Sequence, residues 1–89
     1  MSLINEKKDF SIISSLIPER SSVIDIGCND GSLLEYLEIN KKVDGRGMEI
    51  DQEKVQLCLS KGISVIEGDA DKDLFDYPDN LFDYSILTY

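Results

Sequence analysis

Residues 23–34, Val-Ile-Asp-Ile-Gly-Cys-Asn-Asp-Gly-Ser-Leu-Leu, constrain this chain more than any other segment. An apolar run stops at a glycine-containing turn, and apolar residues resume at helical spacing beyond it. This pattern describes a strand, a tight loop and a helix. Gly27 and Gly31 have no Cβ, so the backbone there turns sharply and approaches a ligand closely. Nucleotide cradles are built in this way at helix N-termini. Asp25 and Asp30, however, put negative charge where a pyrophosphate-binding loop needs neutral or positive groups. The loop therefore suits a ligand with a ribose and an adenine, no phosphate, and cationic groups on its tail. S-adenosylmethionine meets that description.

The rest of the chain reads as alternating helices and strands. Apolar residues at Phe10, Ile13 and Ile17, with Ile12 and Leu16 alongside, predict a helix over 5–17 that Pro18 ends. Val23–Gly27 is a strand and Ser32–Ile39 a helix, followed by a polar connection over Lys41–Asp44. Gly45–Ile50 is a second strand. Asp51 is placed to cap a helix running to Lys61, with Val55, Cys58 and Leu59 as its apolar stripe and Gly62 as its terminator. Ile63–Glu67 is a third strand. Gly68–Asn80 is a loop with a helical turn near Lys72–Asp76, and Phe82–Thr88 is a fourth strand. Such alternation argues for a parallel sheet of βαβ units in a single domain over 1–89.

Charge and composition exclude several function classes. Nine basic residues against eighteen acidic ones give a net charge of −9, which opposes binding to nucleic acid or to an anionic membrane. No apolar run approaches the ~18 residues of a membrane span. The N-terminal MSLINEKKDF lacks the form of a signal peptide, so a cytoplasmic protein is expected. The chain has no histidine and two cysteines, Cys28 and Cys58, which read as small buried hydrophobes rather than a zinc site or a Cys-His pair. A calcium loop starting at Asp69 would need glycine and glutamate where Leu74 and Asn80 stand, so no metal is expected.

Ligands of open α/β sheets collect beyond the carboxyl ends of the strands. Those ends here are Gly27–Gly31, Glu49–Asp51 and Gly68–Ala70. Glu49 can accept both hydroxyls of a ribose, one on each carboxylate oxygen; its plain alternative is a solvated strand-end acid. Asp69 can accept from an adenine amino group or simply form a turn. Asp25 either meets a ligand's ammonium or orients the loop's backbone amides. Asp30 has a simple role open to it in capping the next helix. Asp71, Asp73, Asp76 and Asp79 read as a solvated face.

The segments VIDIGCNDGSLLEYL (23–37), VDGRGMEID (43–51) and GISVIEGDADKDLFDYPDNLFDYSILT (62–88) resemble the class I S-adenosylmethionine-dependent methyltransferases and, more narrowly, the MetW family of methionine biosynthesis. The resemblance implies a Rossmann-like α/β fold with four strands in the order 3-2-1-4 and flanking helices. It also implies a sheet that continues past the fourth strand in full-length relatives. For S-adenosylmethionine or S-adenosylhomocysteine it implies contacts from Asp25, Gly27, Cys28, Asn29 and Gly31 in the loop, Glu49 and Ile50 at the second strand tip, and Asp69 and Ala70 at the third. Asn29 stands where methyltransferases usually carry a glycine, and asparagine tolerates the left-handed backbone that position needs. The implied partner is homoserine O-acyltransferase, which the protein would activate or regulate. Two other readings stay open, a small-molecule methyltransferase and an NAD-binding Rossmann fragment. With the sheet ending at Phe82–Tyr89, that strand becomes an exposed edge, and self-association through it is expected.

Overall fold

The computed structural model describes residues 2–4, 10–73 and 81–87, the first three as backbone only. The elements are β1 (Ser2–Ile4), α1 (Phe10–Leu16), β2 (Ser22–Ile26), α2 (Ser32–Lys41), β3 (Asp44–Glu49), α3 (Gln52–Ser60), β4 (Val65–Glu67), α4 (Ala70–Asp73) and β5 (Tyr84–Leu87). They build one five-stranded sheet in the order β1-β5-β2-β3-β4, with every pairing parallel. The four strands expected from sequence hold the expected order, with β5 and β3 flanking β2.

The fifth strand, β1, was not expected, and it corrects the edge prediction. Tyr84, Ser85 and Ile86 of β5 pair with Ser2, Leu3 and Ile4 on one side, while β2 occupies the other. Both flanks of β5 are hydrogen-bonded, so the premise for self-association through it fails. Thr88 and Tyr89 lie outside the described residues, as do Asn5–Asp9 of the expected first helix and 74–80 of the expected loop. The helical turn begins at Ala70 rather than Lys72. The connection over Lys41–Asp44 is also not simply polar. Lys41 ends α2, Lys42 turns left-handed at φ 52° to cap it, and Val43 is buried.

Right-handed crossovers from β2 through α2 to β3, and through α3 to β4, carry both helices to one face of the sheet. On that face Val23 of β2 and Ile86 of β5 join Leu33, Leu34 and Leu37 of α2, Cys58 of α3, and Ile13 and Ile17 near α1 in one core. The opposite face carries Ile24, Ile26, Met48 and Ser85, all buried as well. Burial on both faces explains why β2 reads as a nearly unbroken apolar run.

Ahead of Glu49 at the tip, the helix-facing positions of β3 are glycines. Gly45 pairs with Val23 and Gly47 with Asp25. A Cβ on Gly45 would lie 3.1 Å from Leu34 Cδ2, and one on Gly47 only 2.5 Å from Cys28 Sγ. Their bare backbone lets α2 and the preceding loop settle directly onto the strand.

One helix stripe differs from the sequence expectation, at a single residue. Leu59 of α3 is 52% exposed, while Val55 and Cys58 of the same stripe are buried as expected. On α1, Ile12 and Leu16 are 58% and 56% exposed, while Ile13 and Ile17 face the core. Asp51 caps α3 as expected, its Oδ1 accepting from the Glu53 and Lys54 amides at 2.9 and 3.4 Å.

Candidate functional site

Three backbone bonds draw the strand tips together. The Gly27 and Cys28 amides both donate to Met48 O, at 2.8 and 3.1 Å, which folds the loop after β2 across the end of β3. The Gly68 amide donates to Glu49 O at 3.0 Å and ties the chain after β4 to the same tip. Between these tips lies a cleft of about 240 Å³. Gly27 and Asn29 line one end, Met48, Glu49 and Ile50 the middle, and Gly68, Asp69, Ala70 and Asp71 the facing wall, with Lys54 reaching in from α3.

Glu49 is the hub of this arrangement. Its carboxylate is largely withdrawn from solvent, the residue being 8% exposed. Oε1 accepts from the Asn29 amide at 2.7 Å and Oε2 from the Asp51 amide at 3.0 Å. One side chain thus fixes the loop after β2 and the start of α3 relative to each other. A carboxylate offers about four acceptor sites, so two remain for donors arriving from the cleft. The solvated strand-end acid considered from sequence does not describe a group held this way.

The loop uses the left-handed region at Gly27 (φ 74°), Asn29 (φ 59°) and Gly31 (φ 82°). Asn29 adopts the conformation expected of it, and its amide is the one that meets Glu49. For Gly31 the structure adds a second reason. A Cβ there would stand 3.1 Å from Cys58 Sγ, so the absence of a side chain serves helix packing as well as the turn.

Of the nine residues singled out for the ligand, Gly27, Asn29, Glu49, Ile50, Asp69 and Ala70 line the cleft. Asp25, Cys28 and Gly31 lie behind it. Asp25 is 0% exposed on the helix side of β2, a placement that suits orienting the loop from beneath. The Cys28 side chain turns into the core, where its Sγ is 3.7 Å from that of Cys58. Burial first, then the Cys58 thiol beside it and the Asp25 and Glu49 carboxylates, push the Cys28 thiol well above its ordinary range, and burial raises Cys58 too. Such thiols are inert packing groups. Among the described residues, no cluster of His, Cys, Asp or Glu could hold a metal ion.

Asp30 is not the N-cap of α2, which is Gly31, but its side chain supports the first turn of that helix. Its Oδ1 accepts from the Ser32 amide at 3.0 Å and the Ser32 hydroxyl at 2.6 Å, and its Oδ2 lies 3.4 Å from Lys61 Nζ. The Ser32 hydroxyl first, then the Ser32 amide, with Lys61 adding, hold the Asp30 carboxyl down at about 2. A carboxylate depressed in the folded state stabilises above its ordinary value of 3.8 and loses that contribution as pH falls through the folded value. Asp30→Asn is therefore expected to flatten the fall of the urea midpoint between pH 3.8 and about 2. An acid limb as steep as that of the unsubstituted chain would assign it to other carboxylates.

Asp69 takes its turn-forming reading. Its Oδ1 accepts from the Asp71 amide at 2.9 Å and starts α4, and the residue still borders the cleft. Met48, Lys54 and Asp71 also line the cleft, although the sequence did not single them out for it. Lys54 had a legible signal, since it sits in the first turn of a helix that starts at a strand tip. Ile50, 64% exposed on the lip, offers an apolar face to a flat ring. Among the cleft's lining residues Lys54 is the only cation, against Glu49, Asp69 and Asp71. Glycine backbone at one end, a carboxylate with spare acceptor sites at the centre and an apolar lip form a donor set that fits an uncharged nucleoside with a cationic tail.

Known proteins share this fold and sequence. A solved TehB-like SAM-dependent methyltransferase from Corynebacterium glutamicum superposes with a TM-score of 0.76 at 21% identity, over 90% of this chain and 43% of that one. The TrmK protein of M. capricolum, solved with S-adenosyl-homocysteine, gives a TM-score of 0.73 at 19% identity, over 92% of this chain and 40% of that one. These likenesses establish the class I methyltransferase fold. A curated bifunctional methionine biosynthesis protein MetXA/MetW from Rhodopirellula baltica is 34% identical over 88 residues, covering 90% of this chain and 14% of the relative's length. The family model described as methionine biosynthesis protein MetW matches residues 7–89. The chain belongs to the MetW family.

Proposed function

We propose that this chain binds S-adenosylmethionine or S-adenosylhomocysteine in the cleft between its strand tips and that it supports or regulates homoserine O-acyltransferase in methionine biosynthesis. The observation that carries the binding half is Glu49, a carboxylate anchored by two backbone amides and facing the cleft with acceptor sites to spare. Glu49 would hold the ribose hydroxyls, Ile50 and Ala70 would flank the adenine, and Gly27 with Asn29 would meet the amino-acid tail. S-adenosylmethionine, when bound, supplies a methyl sulfonium, whose positive charge suits a cleft with more acids than bases. The solved TrmK relative, which carries S-adenosyl-homocysteine, supports the same ligand class.

The partner half rests on the MetXA/MetW relative, which joins both activities' names in one polypeptide. Since this chain spans about a seventh of that relative's length, the partnership is a proposal about the whole protein of which such a domain forms part.

Titration calorimetry with S-adenosylmethionine, S-adenosylhomocysteine and NAD tests the binding half. The two sulfur nucleosides are expected to bind and NAD is not, because the loop's acids oppose a pyrophosphate. Binding of NAD alone would overturn the reading. For the partner half, co-purification with homoserine O-acyltransferase and a change in its rate are expected, and neither occurring would remove it.

A further inference from the structure

The last turn of α3, together with the residue that follows it, holds the far half of the loop through four contacts. Cys58 Sγ donates to Asn29 O at 3.2 Å. Lys61 Nζ donates to Asp30 O at 3.0 Å and to Ser32 Oγ at 3.2 Å, and the same ammonium pairs with Asp30 Oδ2 at 3.4 Å. Asp30 lies between two left-handed residues, Asn29 and Gly31. Glu49 grips the Asn29 amide from the other side. The Asn29–Asp30 backbone is therefore clamped from both flanks, through donors to its carbonyls and an acceptor for its amide.

We infer that Lys61 is a positioning residue that sets the loop's ligand-binding geometry from outside the cleft. The inference rests on the proposed ligand class and adds a residue that does not line the cleft. An ammonium accepts no hydrogen bond, so its three contacts all organise oxygen atoms of residues 30–32, the joint between loop and helix. Preorganising a loop raises affinity by lowering the ordering cost of binding. The ligand portion affected is the tail that meets Gly27 and Asn29. The adenosine portion, assigned above to Glu49, Ile50 and Ala70, is not.

That separation gives the test. Lys61→Met keeps the aliphatic stem and removes the ammonium. It is expected to weaken S-adenosylhomocysteine about fivefold, a modest figure because the contacts are partly solvated, and adenosine less than about twofold. Lys61→Arg is expected to restore most of the lost affinity. In the ligand-free chain, amide hydrogen exchange at Asn29 and Gly31 should accelerate in Lys61→Met while β2 core amides stay protected, the signature of local opening. Equal weakening of both ligands, or loop exchange unchanged by Lys61→Met, would overturn the inference. Should the unsubstituted chain bind neither nucleoside, the ligand reading falls, and the exchange measurement alone then decides the clamp.

Discussion

Glu49→Gln is expected to lower the melting temperature by roughly 10 °C and to weaken S-adenosylhomocysteine by about 100-fold. Both effects come from the same two atoms. In the native chain each carboxylate oxygen accepts a backbone amide, Asn29 on one and Asp51 on the other. Glutamine keeps a single acceptor, so its amino group must face one of those N–H donors. A buried donor left without an acceptor costs about 1–3 kcal/mol. In a domain of this size each kcal/mol moves the melting temperature by about 4–8 °C. Ligand affinity falls further because the remaining acceptor sites, those facing the cleft, lose their charge as the loop loses its tether. Circular dichroism melts and calorimetry on the same sample check both parts. A full-strength melt with lost binding would mean that Glu49 serves the ligand without holding the loop. A depressed melt with full binding would mean the reverse.

Gly47→Ala is expected to destabilise the chain by about 3 kcal/mol. The added carbon would fall 2.5 Å from Cys28 Sγ, 3.1 Å from Cys28 Cβ and 3.3 Å from Leu34 Cδ1. Cys28 cannot retreat, since its amide is bonded to Met48 O and its sulfur rests against that of Cys58. The loop itself must move, and the cleft with it. Gly45→Ala should cost less, because its nearest neighbour at 3.0 Å is the Glu38 carboxylate oxygen, the far end of a flexible side chain. Removing the obstructing sulfur in a Gly47→Ala/Cys28→Ala chain should recover about 1 kcal/mol relative to additivity. Urea denaturation of the single and double variants measures this, and strict additivity would show that Cys28 is not what the new methyl strikes.

These two residues also show which parts of the molecule were legible in the chain and which were not. Glu49 was recognisable from its place at a strand end after a glycine loop, because strand tips of a parallel sheet converge whatever their side chains. The need for Gly47 was not legible. Within the second strand it reads as one weak β-former among neighbours, and only the approach of Cys28 gives it a purpose. Leu59 was misplaced for a related reason. Helical periodicity marks a broad apolar stripe, and the packing partner then chooses which part of it to bury. The three residues of β1 carry no periodic signal at all. Their strand character comes from the edge of β5, which pairs with them.

Local chemistry by itself determined the succession of strands and helices after β1, the turns at Gly27, Asn29 and Gly62, the Asp51 cap and the family to which the chain belongs, since each depends on neighbours along the backbone. Only the tertiary structure decided that β5 is an interior strand, that Cys28 and Gly31 serve packing behind the cleft, that Glu49 grips the loop, and that Lys61 braces it from the C-terminal end of α3. Those outcomes depend on atoms twenty to eighty positions apart meeting within a few ångströms, and no local pattern encodes such a meeting.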